Sequence, residues 1–277
     1  MNRVWLITGA NSGFGRAITE AAIAAGDIAV ATARKVTALD DLAAAYPGQA
    51  DVLPLDVTDA SAIDATVGSV ISRHGRIDVL VNNAGRTHVG AAEETTDAEL
   101  RDLFEVHVFG PAALTRAVLP HMRSRRSGAI VQVSSMGGQM SFAGFSAYSA
   151  TKFALEGMSE ALADEVRPLG IKVLIVEPGA FRTGLFGNHS ASTPIPDYAG
   201  TVGPTRQMAD TSGGTQPGDP AKAAAAILTV LEAPHTPLRL PLGDDAVDAI
   251  LSHLDSTRAD IRTWGELARD TRFSTLS

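Results

Sequence analysis

Cysteine is absent from the 277-residue chain, which excludes disulfide bonds, thiol catalysis and cysteine-ligated metal sites. The seven histidines are scattered, and no two of them have the H-E-x-x-H spacing of a zinc protease. We therefore expect no metal in this protein.

An excess of positive charge and long apolar runs are also lacking. The chain carries 23 Lys and Arg against 31 Asp and Glu, a net charge of −8. This balance argues against nucleic acid or an anionic membrane surface as a general partner. No apolar run reaches the about 18 residues of a membrane helix. A strand-like run begins at Val4 and leaves no room for a signal peptide, so we expect a soluble, cytoplasmic protein.

Short β-branched runs alternate with alanine-rich segments along most of the chain. Apolar strands separated by helices are typical of a parallel sheet that is buried on both faces, so we expect a doubly wound α/β fold of three layers. Strands are predicted at 4–8, 28–32, 51–55, 78–82, 129–134 and 172–177, and helices near 14–25, 38–45, 60–74, 97–122 and 147–168.

Pro54, inside the third predicted strand, provides a check on this topology. Proline cannot donate to a strand ladder and is tolerated mainly at a sheet edge. The third strand is the edge in the doubly wound order 3-2-1-4-5-6, so Pro54 fits that order.

The composition changes after Thr183. Residues 184–218 are rich in Gly, Pro, Ser and Thr, which predicts a mobile lid loop without a fixed helix. A helix at 220–232, a short strand and a helical stretch at 244–270 follow. Because this region lacks a full set of strands, we interpret 1–277 as a single domain with 219–277 as a C-terminal helical cap.

A glycine-rich stretch, T-G-A-N-S-G-F-G, lies between the first strand and the first helix at 8–15. Its glycines at 9, 13 and 15 would let the backbone turn tightly and approach a pyrophosphate at the helix N-terminus. Such a site would hold an anionic ligand despite the negative net charge. The alternative is a merely flexible turn.

Tyr148 and Lys152 are four residues apart in a run of small residues, which places both on one face of a helix. An ammonium neighbour would lower the pKa of the phenol and fit it for acid–base chemistry. The alternative is a half-buried tyrosine beside a surface lysine. Ser135 precedes the pair, and alone it could be a solvated hydroxyl at a strand end.

Taken together, these motifs resemble the short-chain dehydrogenase/reductase superfamily in its T-G-x-x-x-G-x-G and Y-x-x-x-K branch. L-D-V at 55–57, N-N-A-G at 82–85 and P-G-A-F-R-T at 178–183 match further family segments in order, and the resemblance runs from residue 3 to about 183. The extended branch usually spaces its loop T-G-x-x-G-x-x-G, which this chain does not.

The resemblance implies a Rossmann fold and hydride transfer between a nicotinamide and a carbonyl or alcohol group. Tyr148 would be the acid/base, Ser135 would bind the substrate oxygen, and Lys152 would hold the ribose and influence Tyr148. The implied cofactor-binding residues are Gly9, Asn11, Ser12, Gly13, Phe14, Gly15, Arg34, Lys35, Asp56, Val57, Asn83, Ala84, Gly85, Tyr148, Lys152, Pro178, Gly179 and Thr183.

NADP(H) is the predicted cofactor. Ala33 stands where NAD-preferring relatives carry an aspartate, and Arg34 and Lys35 follow. An acid there would repel a 2′-phosphate, whereas arginine binds one through a charge-assisted fork. The alternative is a solvated Arg-Lys turn.

His107 departs from the family pattern, which places asparagine at this position as a fourth catalytic residue. A catalytic His107 and a buried structural one are both open. Pro111 lies four residues later and has no N–H for the carbonyl of residue 107. We therefore expect an opened helical turn, with a carbonyl free to accept from a water near Lys152.

The substrate is not determined by the motifs. The predicted pocket wall is small or apolar and suits a hydrophobic carbonyl compound or secondary alcohol; it comprises Gly137, Gly138, Met140, Phe142, Phe145, Phe181 and Phe186. The family also implies a homo-oligomer, a dimer or tetramer. A non-catalytic NADP(H)-sensing regulator is the alternative function, whereas esterase chemistry lacks the G-x-S-x-G elbow.

Overall fold

The computed structural model describes residues 2–273, and its centre is a seven-stranded sheet whose strands all run parallel. Met1 and residues 274–277, which the predicted domain includes, lie outside the described residues. The strands are β1 (Val4–Ile7), β2 (Ile28–Ala33), β3 (Ala50–Pro54), β4 (Val79–Asn82), β5 (His88–Val89), β6 (Gly128–Val133), β7 (Ile171–Pro178), β8 (Ser190–Ala191) and β9 (Arg239–Leu242).

Helices connect these strands and cover both faces of the sheet. They are α1 (Gly13–Ala24), α2 (Asp40–Ala45), α3 (Ala60–His74), α4 (Asp97–Phe104), α5 (Gly110–Arg125), α6 (Ser146–Val166), α7 (Gly203–Thr211), α8 (Pro220–Glu232) and α9 (Asp244–Arg269). Within the described part of the chain, no helix is both long and apolar enough to cross a membrane.

The spatial strand order is β3-β2-β1-β4-β6-β7-β9, while β5 and β8 pair separately. This order confirms the predicted doubly wound parallel sheet. Pro54 lies on the edge strand β3 and is exposed, as its missing N–H requires. Pro241 lies on β9, the strand at the opposite edge.

Side chains that alternate along each strand divide the core into two apolar layers. On β1, Trp5 and Ile7 face the layer that includes Ile18 of α1 and Ile227 of α8. Leu6 faces the other layer, against α3, α5 and α6. A sheet covered on both faces requires strands that are apolar throughout, which explains the continuous runs in the sequence.

Several helix ends follow from local chemistry. Asp59 begins α3 by accepting the N–H groups of Ser61 and Ala62, and Gly75 ends it with φ of 75°. Thr96 and Glu99 form a capping box at the start of α4.

The segment 184–218 is more ordered than the sequence predicts. It contains β8 and the helix α7, so the expectation that its Gly and Pro residues disfavour a fixed helix is wrong. Pro204 lies in the first turn of α7, where a missing N–H breaks no helical hydrogen bond.

The interpretation of 219–277 as a cap is also wrong for most of its length. Helix α8 packs against α1 and buries Ile227 and Leu231 in the main core. Strand β9 extends the sheet beside β7. Among the described residues of this region, α9 alone extends away from the sheet, and most of it is exposed.

The turn between β1 and α1 is held by unusually close backbone packing. Gly9 and Gly13 have φ of 63° and 54°, in the left-handed region that favours glycine. A Cβ on Gly15 would lie 2.3 Å from the carbonyl oxygen of Gly9 and 2.5 Å from Asn83 Nδ2. The turn therefore has no room for a side chain at position 15.

We predict that Gly15→Ala lowers the melting temperature by several degrees. An overpacked methyl costs about 1–3 kcal/mol, and each kcal/mol shifts Tm by about 2–4 °C in a chain of this size. Gly68→Ala is the matched control, because Gly68 is exposed in α3 and its Cβ would meet nothing within 4 Å. Calorimetry should show that Gly68→Ala keeps or raises Tm; equal losses in both variants would contradict the packing at Gly15.

Candidate active site

Polar side chains gather at one edge of the sheet because all of its strands run the same way. The carboxyl ends of parallel strands meet at this edge, where ligands bind in open α/β sheets. The residues that follow β1, β2, β3, β4, β6 and β7 there include Thr8, Arg34, Asp56, Asn83, Ser135 and Gly179.

Helix α1 presents its N-terminus at this edge. The Ser12 hydroxyl, at the capping position, makes no capping hydrogen bond, and the first turn holds no acidic residue. Thr183 covers the turn, since its side chain would lie 3.1 Å from a Cβ on Gly13. The Phe14 ring packs against Phe181 with centroids 5.0 Å apart. The structure thus brings the glycine turn and Thr183 together, with Asn11 and Ser12 exposed.

Thr8 fastens the glycine turn to β4, a role that the sequence did not reveal. Its hydroxyl donates to the Val81 carbonyl at 3.2 Å and accepts the N–H groups of Asn83 and Ala84, each at 2.9 Å. Asn83 returns a bond from its amide to the Thr8 carbonyl at 2.8 Å. The threonine before the first glycine of the motif was the available indication.

Arg34 and Asp56 lie together at the β2–β3 side of the edge. Arg34 and Lys35 are exposed, and a groove of about 370 Å³ is lined by Arg34, Leu55 and Asp56 among others. The pKa of Asp56 is lowered chiefly because its carboxylate accepts a hydrogen bond from the Thr58 N–H, and the positive charge of Arg34 acts in the same direction. Val57 is buried in the apolar core.

Helix α6 carries Tyr148 and Lys152 on its buried face, next to Ser135 at the end of β6. Tyr148 is 9% exposed and Lys152 6%, and Lys152 Nζ lies 5.7 Å from the centroid of the phenol ring. The Ser135 hydroxyl lies near enough to the Tyr148 phenol to act on its pKa. The three residues therefore meet in one place, and the alternative of a surface lysine is wrong.

The pKa of Tyr148 is raised to about 12, opposite to the sequence expectation. Burial disfavours the phenolate, and the Ser135 hydroxyl, which lowers the pKa, only partly offsets this effect. Without a ligand, the tyrosine thus keeps its proton throughout the physiological range.

Lys152 is held by the backbone of the neighbouring strand. Its Nζ donates to the Val133 carbonyl at 3.0 Å. Burial lowers the pKa of this ammonium to about 8, and the negative charge of Glu156 acts against that lowering. The two groups are four residues apart on α6.

Behind Lys152 lies an acidic cluster that sequence reasoning missed. It is formed by the buried Glu156 and Glu177, and the partly buried Arg239 neutralises it. Glu156 accepts from the Ser134 hydroxyl and from Arg239, which also donates to Glu177 at 2.6 Å. Burial raises the pKa of Glu156 to about 7, and the neighbouring Glu177 charge acts in the same direction. The i, i+4 spacing of Lys152 and Glu156 was the only sequence indication.

Both ring nitrogens of His107 are engaged in the buried interior. Nε2 accepts the N–H of Arg86 at 3.1 Å, and Nδ1 lies 2.8 Å from the Thr151 hydroxyl. That hydroxyl donates its proton to the Tyr148 carbonyl, so Nδ1 must be the donor to Thr151 and the ring is neutral. Burial lowers the pKa of His107 well below its usual value. These contacts favour a positioning role for the ring.

The predicted opened turn is present before Pro111. Residues Glu105–Phe109 form a π-helical turn, in which the Gly110 N–H donates to the Glu105 carbonyl five residues back. The use of the His107 carbonyl by a water stays a prediction.

The segment 184–218 is docked beside the site by buried polar contacts. The two ring nitrogens of His88 lie 2.9 and 2.8 Å from the hydroxyls of Ser190 and Ser192. Arg206 pairs with the buried Glu94 at 2.6 Å. A small apolar cluster supports these contacts and comprises Val89, Ala91, Val202 and Ala209, with Phe145, Phe186 and Tyr198 packed against it.

The predicted pocket wall is only partly correct. A Cβ on Gly137 would lie 3.3 Å from Ser135 Oγ, and the Phe145 ring lies 6.0 Å from that of Tyr148, so both flank the site. Gly138 instead faces the acidic cluster, where a Cβ would overlap the Glu156 carboxylate.

Known proteins are similar to this chain in sequence and in fold. The family model for short chain dehydrogenases matches residues 3–193. Oxidoreductase BOA17 of Botryotinia fuckeliana is 38% identical over 97% of this chain and 98% of its own length. The 3-ketodihydrosphingosine reductase of Bacteroides thetaiotaomicron is 42% identical, over 69% of this chain and 68% of its own length.

Solved structures agree with these relatives. A short-chain dehydrogenase from Streptomyces avermitilis superposes with a TM-score of 0.93 at 64% identity, covering 98% of each chain. A metagenomic short-chain oxidoreductase in complex with NADP gives 0.69 at 28% identity, over 87% of this chain and 96% of its own. The 3-ketoacyl-(acyl-carrier-protein) reductase of Brucella melitensis, complexed with NADH, gives 0.74 at 27% identity, with the same two coverages.

The chain has a parallel sheet, a glycine turn and a convergent Ser-Tyr-Lys group, and the family model matches more than half of its length. It therefore belongs to the short-chain dehydrogenase/reductase superfamily of oxidoreductases.

Proposed function

We propose that this protein transfers a hydride between NADP(H) and a carbonyl or secondary alcohol group of a hydrophobic small molecule. The observation that carries the proposal is the meeting of Ser135, Tyr148 and Lys152, with both members of the Tyr–Lys pair buried, at the sheet edge that holds the glycine turn. A protein that only senses the cofactor has no need of a buried lysine beside a tyrosine.

The residues present fit a dinucleotide. The Ser12 side chain does not cap the N-terminus of α1, and the positive φ of Gly9 and Gly13 turns the backbone tightly at this helix end. We assign the pyrophosphate to this turn, the nicotinamide end to Thr183, and the adenosine end to Arg34 and Asp56. When bound, the nicotinamide would give or take the hydride at the substrate carbon.

The chain's own residues handle the proton. In reduction, Tyr148 donates its proton to the substrate oxygen while the Ser135 hydroxyl binds that oxygen. Lys152 holds the ribose hydroxyls and stabilises the phenolate left behind. His107, through Thr151, fixes the start of α6 on which Tyr148 stands.

An apolar substrate is supported by the surroundings of Tyr148. Phe145 and Phe186 both pack against the apolar cluster between the site and the segment 184–218. The Bacteroides relative is, by its name, a ketone reductase. We further propose that 184–218 moves as a lid that excludes water from the reacting groups.

Replacement of Tyr148 by phenylalanine tests the proposed function. We expect Tyr148→Phe to retain less than about a tenth of wild-type kcat, since the acid/base is lost, with the Kd for NADPH nearly unchanged. Activity is measured by NADPH consumption with a panel of ketones and aldehydes. Tyr46→Phe, remote from the site, is the matched control and should stay active; the proposal fails if Tyr148→Phe does too.

The pH profile tests the proposed charge on Lys152. For carbonyl reduction, kcat/KM should be constant below about pH 8 and fall above it, because Lys152 loses its proton there while Tyr148 stays protonated. Glu156→Gln removes a charge that raises the pKa of Lys152, so the falling limb should move to lower pH. Glu160→Gln, an exposed partner of the same Arg239, is the control. If the falling limb of the profile does not move in Glu156→Gln, the charge of Glu156 does not influence the pKa of the group that controls activity.

Cofactor choice is tested at Arg34. Wild-type kcat/KM should favour NADPH over NADH, and Arg34→Ala should reduce that preference at least about tenfold by removing the forked contact to the 2′-phosphate. Arg123→Ala, an exposed arginine at the end of α5, should leave the preference intact. A wild-type preference for NADH would overturn the assignment.

A further inference from the structure

Helix α9 leaves the body of the protein with its apolar side chains exposed. Its first turns contact the core through the buried Ala246 and Ile250, and the helix then continues to Arg269 in solvent. Leu251, Leu254, Ile261 and Trp264 are 57%, 44%, 65% and 63% exposed. A single helix in water is marginally stable, and an apolar face of this length marks an interaction surface.

These apolar residues follow a heptad repeat. Val247, Leu254, Ile261 and Ala268 are seven residues apart. The positions between them are Leu251, Arg258 and Gly265, of which only Leu251 is a large apolar residue. A seven-residue spacing keeps the side chains on one stripe of the helix, which is the pattern of a two-helix coiled coil. The exposed stripe therefore fits another helix better than a flat surface.

A second heptad series carries charge and changes sign at its middle. The residue after each apolar heptad position is Asp248, Asp255, Arg262 and then Arg269. All four are exposed and lie on the same flank of the stripe. Asp255 has a partner in its own helix, Arg258, at 3.4 Å. One flank thus has an acidic half and a basic half.

We propose that α9 is a homodimerisation helix that pairs antiparallel with α9 of a second copy of this chain. In an antiparallel pair related by a two-fold axis, this flank of one helix lies beside the same flank of the other, and the two helices run in opposite directions. Asp248 then faces Arg269 of the second copy, and Asp255 faces Arg262. Symmetry doubles these contacts to four ion pairs, and the seam between them is apolar except at Arg258, which lies beside the two-fold axis.

The same charges disfavour a parallel pair. A parallel two-fold would set this flank against the opposite one, which holds Ile250, Thr257 and Trp264 and carries no charge. None of the four ion pairs could then form, so the charged flank of each copy would meet uncharged side chains. The orientation is therefore encoded by the order Asp, Asp, Arg, Arg. This proposal does not depend on the proposed enzymatic function.

Charge reversal tests the pairing. We expect Asp255→Arg and Arg262→Asp each to raise the dissociation constant at least about tenfold and to halve the mass measured by light scattering at a fixed concentration. The double variant Asp255→Arg/Arg262→Asp should restore the wild-type mass, because both pairs are re-formed with exchanged signs. Circular dichroism and Tm should confirm that all three fold.

The absence of cysteine from the chain permits a second, geometric test. In the antiparallel pair, residue 258 lies next to the two-fold axis, so Arg258→Cys should form disulfide-linked dimers under mild oxidation. Val247→Cys should not, because the two copies of residue 247 would be about 34 Å apart at 1.5 Å per residue. Cross-linking through Val247→Cys would show a parallel pair. The proposal would be overturned if the double reversal failed to restore the mass of the dimer.

Discussion

The buried ammonium of Lys152 is the constraint on which the rest of the site depends. A lysine that is 6% exposed loses most of its hydration, and the loss must be balanced by partners in the protein. The Val133 carbonyl supplies one hydrogen bond and Glu156 supplies negative charge. Glu156 is itself buried, so the requirement passes to Ser134 and Arg239.

This chain of compensation ties the C-terminal region to the catalytic helix. Arg239 stands on β9, the last strand of the sheet, and it neutralises carboxylates from both α6 and β7. Glu177 in turn accepts from Gln139, in the loop that follows Ser135. The strand that the sequence suggests to be part of a cap thus completes the electrostatic balance beneath Lys152.

The fold could be predicted from the sequence because its information is local and repeated. Apolar runs of fixed length separated by helices define a parallel sheet, and Pro54 selects its edge. The structure of the chain after Thr183 was harder to predict. The helix α7 depends on docking against the body through Arg206 and Glu94, and no local sequence pattern indicates that contact. Strand β9 is four residues long and, among the residues that the structure describes, pairs with β7 alone.

For the residues of the site, positions could be predicted from the sequence, whereas electrostatics and distant partners could not. Motif spacing predicts that Ser135, Tyr148 and Lys152 converge, because strand ends and helix faces determine those positions. Their electrostatics cannot be predicted so, since the pKa of Tyr148 depends on how deeply the fold buries it. Glu156 and Thr8 were missed for a related reason: their importance lies in partners that are distant in sequence.

The raised pKa of Tyr148 has a consequence for how the site is prepared. Ionising a phenol of pKa about 12 at pH 7 costs about 7 kcal/mol, since each tenfold step costs about 1.4 kcal/mol. The Lys152 ammonium lies 5.7 Å from the centre of the ring. Its own pKa is lowered to about 8, so burial already disfavours the charged form of this lysine in the free site. The protein alone therefore stores a proton on the tyrosine rather than a phenolate. Without further positive charge beside the phenol, this arrangement suits a group that donates a proton to an oxygen.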